Sequence, residues 1–353
     1  MKIMIHRFSF ATGFSRALRL GVLLTASFPL LACDRLWHHG GEVLTTQEAQ
    51  KFLKEYALLP PQPWIEPDAN RIPAGAEGEL VRRGIALLEH TPQHIGPHAP
   101  DPEHRLAGNN LNCSNCHQAG PSGLPGTKQH VLPFINAVHD YPRLDVKSMR
   151  VITLEERVVG MMGHGQIAVT PTHPDVVAIV AYMEWLGRAS HPHQRMVGTG
   201  LQHLPALARA ADPVVGKQLY TQRCMACHGA TGEGIRSADF ATGGGYQVPP
   251  IAGEDTFDDG GHMYLVPVLA AFLHAAMPLG AQDAAPMITV EEAYDLAAYV
   301  DSDFPRRHSS VRGGQYPNPN FRPPGFCAPE ALGTDAAALA RAKFGPFPVS
   351  AHP

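Results

Sequence analysis

The chain has 353 residues, of which 17% are charged, with 34 glycines, 33 prolines and a formal net charge of −4. This length predicts two or three small domains, and the many Gly and Pro residues favour short helices joined by long irregular loops over coiled coils or a large sheet. The acidic balance argues against nucleic acid as a partner, because that affinity depends on a basic face that neutralises phosphates.

The first 33 residues predict an export signal. Four basic residues precede an apolar run, 20–31, that is too short to span a bilayer, and Cys33 follows it. This pattern is typical of a bacterial lipoprotein signal in which Cys33 is lipidated; the alternative is an ordinary signal peptide cleaved near Ala32. Both interpretations predict a periplasmic protein, and the lipid would anchor it to the inner membrane.

The chain that follows the signal is more acidic than the whole sequence. Without residues 1–32 it has 24 basic and 32 acidic residues, a net charge of −8. Such a surface suits redox partner proteins of the respiratory chain that present a basic docking patch, although solubility alone would also explain it.

Two stretches of the chain have a pair of cysteines three residues apart followed directly by a histidine. They are Cys113, Cys116 and His117, and Cys224, Cys227 and His228. Two thiols at this spacing can each add to one vinyl group of a porphyrin, and the adjacent imidazole then lies under the iron. A zinc half-site would need more ligands than Cys33 and Cys327 add, and a redox Cys-x-x-Cys motif would need a βαβ context. The sequence therefore predicts two covalently bound haem c groups.

Around these motifs the chain resembles class I cytochromes c, used twice in a mainly α-helical protein. The predicted order is a signal peptide (1–33), a tether (34–73), a first cytochrome c domain (74–188), a linker (189–212), a second cytochrome c domain (213–303) and a Pro-rich C-terminal extension (304–353). Helices are expected at 80–89 and 174–186 in the first domain and at 213–220 and 289–299 in the second. Each pair should cross at a glycine, Gly84 or Gly216.

A Met-Pro step follows the second haem motif by about fifty residues. Class I cytochromes c usually bring a thioether to the iron in this way, so Met277 is the predicted sixth ligand of the second haem. The alternative is a methionine that only fills the core.

Several short segments together resemble the dihaem thiosulfate dehydrogenases. They are 108–111, 141–142, 153–157, 178–186, 216–217, 224–229 and 277–278. The resemblance implies that thiosulfate is oxidised to tetrathionate at the first haem, whose sixth ligand in that family is a cysteine. It also implies that the second haem, with a methionine ligand, passes the electrons on.

This chain departs from the family at the first haem. Met161 and Met162 stand where the family has its ligand cysteine, and of the anion-binding positions only Arg157 still matches. Met161 is the predicted sixth ligand, with Met162 and His164 as alternatives. A thioether raises the iron potential and is a poor nucleophile, whereas a thiolate lowers the potential.

The unpaired Cys327 leaves a further possibility open. It is either a small buried side chain or a thiolate, supplied from the C-terminal extension, that replaces the one lost at position 161.

Three functions follow from these residues. The leading prediction is a dihaem cytochrome that transfers single electrons between a periplasmic donor and a respiratory acceptor. The alternative is an oxidoreductase of small sulfur oxyanions in which Arg157 holds the anion as its catalytic residue. A structural subunit with idle haems is the third.

Overall fold

A computed structural model describes residues 45–57, 60–162, 165, 167–190 and 194–348. Its helices are α1 (Thr46–Ala57), α2 (Gly75–Glu89), α3 (Thr91–Ile95), α4 (Ala137–Asp140), α5 (Leu154–Met162), α6 (Pro174–Leu186), α7 (Pro213–Arg223), α8 (Met225–His228), α9 (Val266–Ala276), α10 (Val290–Asp303), α11 (Pro329–Leu332) and α12 (Ala336–Phe344). The strands are β1 (Pro61–Gln62), β2 (Arg143–Asp145), β3 (Arg150–Ile152), β4 (Arg195–Met196), β5 (Ile235–Arg236) and β6 (Tyr246–Val248). Among the described residues, no helix combines the length and the apolar character needed to cross a bilayer.

The strands form only small ladders. β1 pairs with β4 in parallel, whereas β2 pairs with β3 and β5 pairs with β6 in antiparallel register. The fold is therefore mainly α, as the composition predicts.

In the first domain, α2 packs across α6. A β-carbon at Gly84 would overlap the carbonyl oxygen of Ala178 in α6, so only glycine lets the two backbones approach this closely. The apolar faces of both helices meet α5 in one core that includes Val81, Leu87 and Tyr182.

The second domain repeats this arrangement with α7 and α10. A β-carbon at Gly216 would overlap the carbonyl oxygen of Asp295. α10 begins with a capping box, in which the Thr289 side chain accepts from the Glu292 amide and the Glu292 side chain accepts from the Thr289 amide. The two crossing glycines predicted from the sequence are confirmed.

The C-terminal extension lies on both domains. Its Tyr316 amide donates to the carbonyl oxygen of Lys147 at 2.8 Å, and Phe347 is buried in the core of the second domain. The Asn318 side chain bonds to Thr46 at the start of α1, whose Ala49 is buried against Leu144. The segment before the first domain and the segment after the second therefore meet on the first domain.

Candidate functional site

The first Cys-x-x-Cys-His motif forms a short 3-10 turn, Cys113–Asn115, that ends beside His117. The His117 Nδ1 atom donates to the carbonyl oxygen of Leu132, and its ring stacks on Phe134 with 4.4 Å between centroids. Because Nδ1 is used in this way, Nε2 is the nitrogen available to a metal. Burial lowers the pKa of His117 to about 4, so the imidazole is neutral, as a ligand must be.

The second motif is built in the same way. It closes α8, and the His228 Nδ1 atom donates to the carbonyl oxygen of Pro249 at 2.9 Å. Burial also lowers the pKa of His228. Met277 follows α9 directly and is partly buried against Phe272 and Ala275.

The donor set of these two motifs fits haem c. Each has two reduced cysteines and one oriented, neutral imidazole, and burial raises the pKa of both Cys116 and Cys224 to about 11, so they are thiols of the form that adds to a vinyl group. In the described part of the chain, no group of three or more His, Cys, Asp or Glu side chains could hold a metal ion, which leaves the zinc alternative without support.

Helix α5 places Arg157 and Met161 on one face. They are four residues apart, whereas Met162 shares the core face with Leu154 and Val158. The exposed fraction is 57% for Met161 and 8% for Met162. The helical spacing thus separates the two methionines, and Met161 is the one beside Arg157.

Arg157 lies near His117 in a group of basic side chains that also has Asp145 and Asp258 as neighbours. Its charge lowers the pKa of His117 after the larger effect of burial, and it acts in the same direction on Lys147 and His262. Among the described residues its guanidinium makes no hydrogen bond and no salt bridge. Within the part of the chain that the structure describes, its donors are therefore available to a ligand.

Two further members of this group were not found by sequence reasoning. Lys147 lies in the turn between β2 and β3 and donates through Nζ to the carbonyl oxygen of Gly260 at 2.7 Å. His262 comes from the second domain, and burial together with Lys147 and Arg157 lowers its pKa to about 3. No local pattern marks either residue, because the distance of about a hundred residues between them is closed only by the fold.

The remaining predicted positions lie elsewhere. Cys327 is half-buried in the extension beside Arg312 and Lys343, and burial raises its pKa, which favours the thiol. Cys33 and His164 lie outside the described residues.

The two domains are joined beside the first haem motif. The Asn110 amide and side chain donate to the carboxylate of Asp255, which also accepts from the Tyr246 hydroxyl at 2.8 Å. Arg307, just after α10, reaches the carbonyl oxygen of Gly108 at 3.5 Å. The second domain thus holds the segment that leads into Cys113.

Comparisons with known proteins agree with the cytochrome c fold described above. The family model described as Cytochrome c matches residues 214–303. The chain is 36% identical to thiosulfate dehydrogenase of Allochromatium vinosum over 237 residues, which are 66% of this chain and 81% of the relative. The chain belongs to the thiosulfate dehydrogenase family. It is also 32% identical to thiosulfate dehydrogenase of Stutzerimonas stutzeri over 259 residues, 73% of this chain and 76% of that relative.

A solved member of the family has the same fold. It is the thiosulfate dehydrogenase (TsdBA) of Marichromatium purpuratum in its "as isolated" form, with a TM-score of 0.58 and 29% identity. The match covers 68% of this chain and 49% of that one, so this chain spans about half of the solved structure. The predicted family, the mainly α cytochrome c fold and covalent haem c as cofactor are confirmed; that there are two haems, and which side chains ligate them, stay predictions.

Proposed function

We propose that the protein is an oxidoreductase of small sulfur oxyanions that oxidises thiosulfate to tetrathionate at the first haem. The observation that carries this proposal is the grouping of Arg157 with Lys147 and His262 beside His117, with no partner for the Arg157 guanidinium among the described residues. The names of the relatives, thiosulfate dehydrogenases, agree with it. This was the alternative at the level of the sequence, and it now replaces the electron carrier as the leading function.

The group suits a doubly charged oxyanion. Arg157 offers a planar fork of N–H donors that matches tetrahedral oxyanions, and Lys147 adds a point charge whose Nζ has donors beyond the one used by Gly260. A neutral His262 can donate or accept one hydrogen bond without adding charge. Partial burial strengthens the attraction between these cations and the anion.

The overall reaction balances without a proton. Two thiosulfate ions lose one electron each, and a sulfur–sulfur bond forms between them to give tetrathionate. When bound, each haem supplies a one-electron acceptor. Arg157 and Lys147 hold the anions at the first haem and offset their mutual repulsion, while the second domain leads electrons to a redox partner protein of the respiratory chain.

A second candidate, the dihaem electron carrier, is favoured by one observation. Met161 shares the α5 face with Arg157, at the position where the family has a cysteine. A thioether in that place would give a haem of higher potential that lacks a thiolate for sulfur chemistry.

The location and the anchor are part of the proposal. We infer a periplasmic protein with two haem c groups, exported through residues 1–33 and held at the inner membrane by a lipid on Cys33. This rests on the sequence pattern alone.

Initial rates with thiosulfate and an artificial one-electron acceptor test the function. We expect haem reduction that depends on thiosulfate, and an Arg157→Gln variant whose KM is about tenfold higher or more, because a charged hydrogen bond to an anion contributes about 1.5–3 kcal/mol. The matched control is Arg150→Gln, an exposed arginine of β3, which should leave KM unchanged. A wild-type protein whose haems stay oxidised in thiosulfate but are reduced by a small periplasmic cytochrome would instead establish the carrier.

A further inference from the structure

The segment from Gly126 to Phe134 contacts His117 of the first haem motif at several points. The Gly126 amide donates to the carbonyl oxygen of His117 at 2.7 Å, and the Phe134 amide donates to that of Gly126 at 2.7 Å. Leu132 accepts from His117, and Phe134 stacks on its ring. We call residues 126–134 the proximal segment; its backbone is fixed directly by the first haem's histidine.

The other side of the proximal segment contacts the loop between α9 and α10 (277–289), which we call the Met277 loop. Val131 and Leu132 pack with Phe272 and Met277 in a cluster formed across the two domains. The Lys128 Nζ atom donates to the carbonyl oxygen of Ala281 at 2.8 Å, four residues after Met277. The predicted sixth ligand of the second haem therefore lies against the segment that holds the proximal ligand of the first.

Lys128 connects the two sites through hydrogen bonds. Besides Ala281, its Nζ atom donates to Oε1 of Gln118 at 3.0 Å, and Gln118 directly follows His117. The Lys128 amide also donates to the carbonyl oxygen of Gln118 at 3.1 Å. One side chain of the first domain thus reaches from the residue next to His117 to the loop of Met277.

The Met277 loop has little regular structure of its own. Within it the Ala281 amide donates to Pro278, and a single bridge joins Gln282 to Ala285. Ala281 is fully buried, so its carbonyl oxygen needs a partner, and Lys128 provides one. Burial lowers the pKa of Lys128, in keeping with a lysine committed to this contact rather than to solvent.

We propose that Lys128 is a positioning residue of the first domain that holds the Met277 loop in place and so sets the ligation of the second haem. The inference rests on the assignment of Met277 as sixth ligand. It means that the potential of the second haem depends on a contact between the domains. A loop that is less firmly held gives a weaker iron–sulfur bond, and a weaker thioether bond lowers the potential.

The test uses the full-length, haem-loaded protein with Lys128→Met, which keeps the length of the side chain but removes the donors. We expect loss of at least half of the long-wavelength absorption band that methionine ligation gives to an oxidised haem, and a lower potential of the second haem in a redox titration. Lys128→Arg, which keeps a charged donor, should have the wild-type absorption band and the wild-type potential. Lys128→Gln, which is shorter and uncharged, is a second variant that should behave like Lys128→Met.

Two controls separate the possible failures. Lys217→Met removes an exposed lysine of the second domain, whose Nζ lies 3.6 Å from Asp303, and should change neither band nor potential. Met277→Leu should remove at least half of the band, namely the share of the second haem; if the full band persists, Met277 is not the ligand and the assignment itself is wrong. If Met277→Leu removes this share but Lys128→Met and Lys128→Gln keep the full band and the wild-type potential, the positioning role is overturned while the ligand and the thiosulfate activity stand.

Discussion

At the scale of single residues, the proposed function depends on which side chains occupy the face of α5 that carries Arg157. Arg157 and Met161 lie one helical turn apart, and Met162 points into the core with Val158. The methionine at the position where the family resemblance implies a cysteine therefore lies on the face that carries Arg157, the residue proposed to bind the anion. Whether the thioether ligates the iron decides how much sulfur chemistry this haem can perform.

Low-temperature EPR of the oxidised protein tests the ligand. We expect a Met161→Leu variant to lose the low-spin signal of the first haem in favour of a high-spin signal, because leucine has the volume of methionine but no donor atom. Met162→Leu is the matched control and should leave the spectrum unchanged. A thiolate-type signal that disappears in Cys327→Ala would show instead that the C-terminal extension supplies the ligand.

At the scale of elements, each domain depends on one close helix crossing. The glycines Gly84 and Gly216 face backbone carbonyl groups of the partner helices, and these cannot move aside as a flexible side chain could. The crossings fix α6 and α10, and through them the cores against which Cys113 and Cys224 of the two Cys-x-x-Cys-His motifs pack. A glycine at the helix crossing is thus used in both domains.

A Gly84→Ala substitution should therefore destabilise the protein. The added methyl group must separate α2 from α6, and overpacking of this kind costs about 1–3 kcal/mol. Gly160→Ala is the control, since a β-carbon at Gly160 meets no atom within 4 Å and alanine favours a helix. Chemical denaturation followed by circular dichroism measures the free energy of unfolding of both variants. Equal stability of the two would contradict a close crossing.

At the scale of the whole molecule, the C-terminal extension contacts both cytochrome c domains. Asp259 of the second domain accepts from the Ser309 amide, the His308 ring and the Arg312 guanidinium, each at 2.6 Å. Burial acts to raise the pKa of Asp259, but these hydrogen bonds and the charge of Arg312 outweigh it, so the pKa lies below its ordinary value. The extension is thus fixed through an ionised carboxylate.

This arrangement predicts acid sensitivity. A lowered pKa means that the contribution of Asp259 is present above the unfolded value of about 4 and is lost as the pH falls through the folded value. Asp259→Asn should lower the free energy of unfolding by about 1–3 kcal/mol at neutral pH, and the difference from wild type should shrink as the pH falls below about 4. The control is Asp303→Asn, which removes an exposed carboxylate and should lower the free energy of unfolding by less than about 0.5 kcal/mol. A difference that does not change with pH would refute the role of the charge.

The sequence by itself determined everything that depends on local chemistry. Two thiols and a histidine at fixed spacing predict covalent haem, a Met-Pro step indicates a thioether ligand, and apolar spacing with a glycine predicts a helix crossing. Because these signals lie within a few residues, they could be interpreted without the fold. Met161 and Met162 could not be separated in this way until the limits of α5 showed which face each occupies.

Only the tertiary structure decided which distant residues share a site. Lys147 and His262 join Arg157 although they belong to different domains, and Lys128 reaches the loop of Met277 across the domain boundary. These contacts span more than a hundred residues of sequence, and no periodicity or spacing encodes them. They arise because packing of two apolar cores against each other fixes which surfaces meet, and that depends on the shape of the whole chain rather than on any one segment.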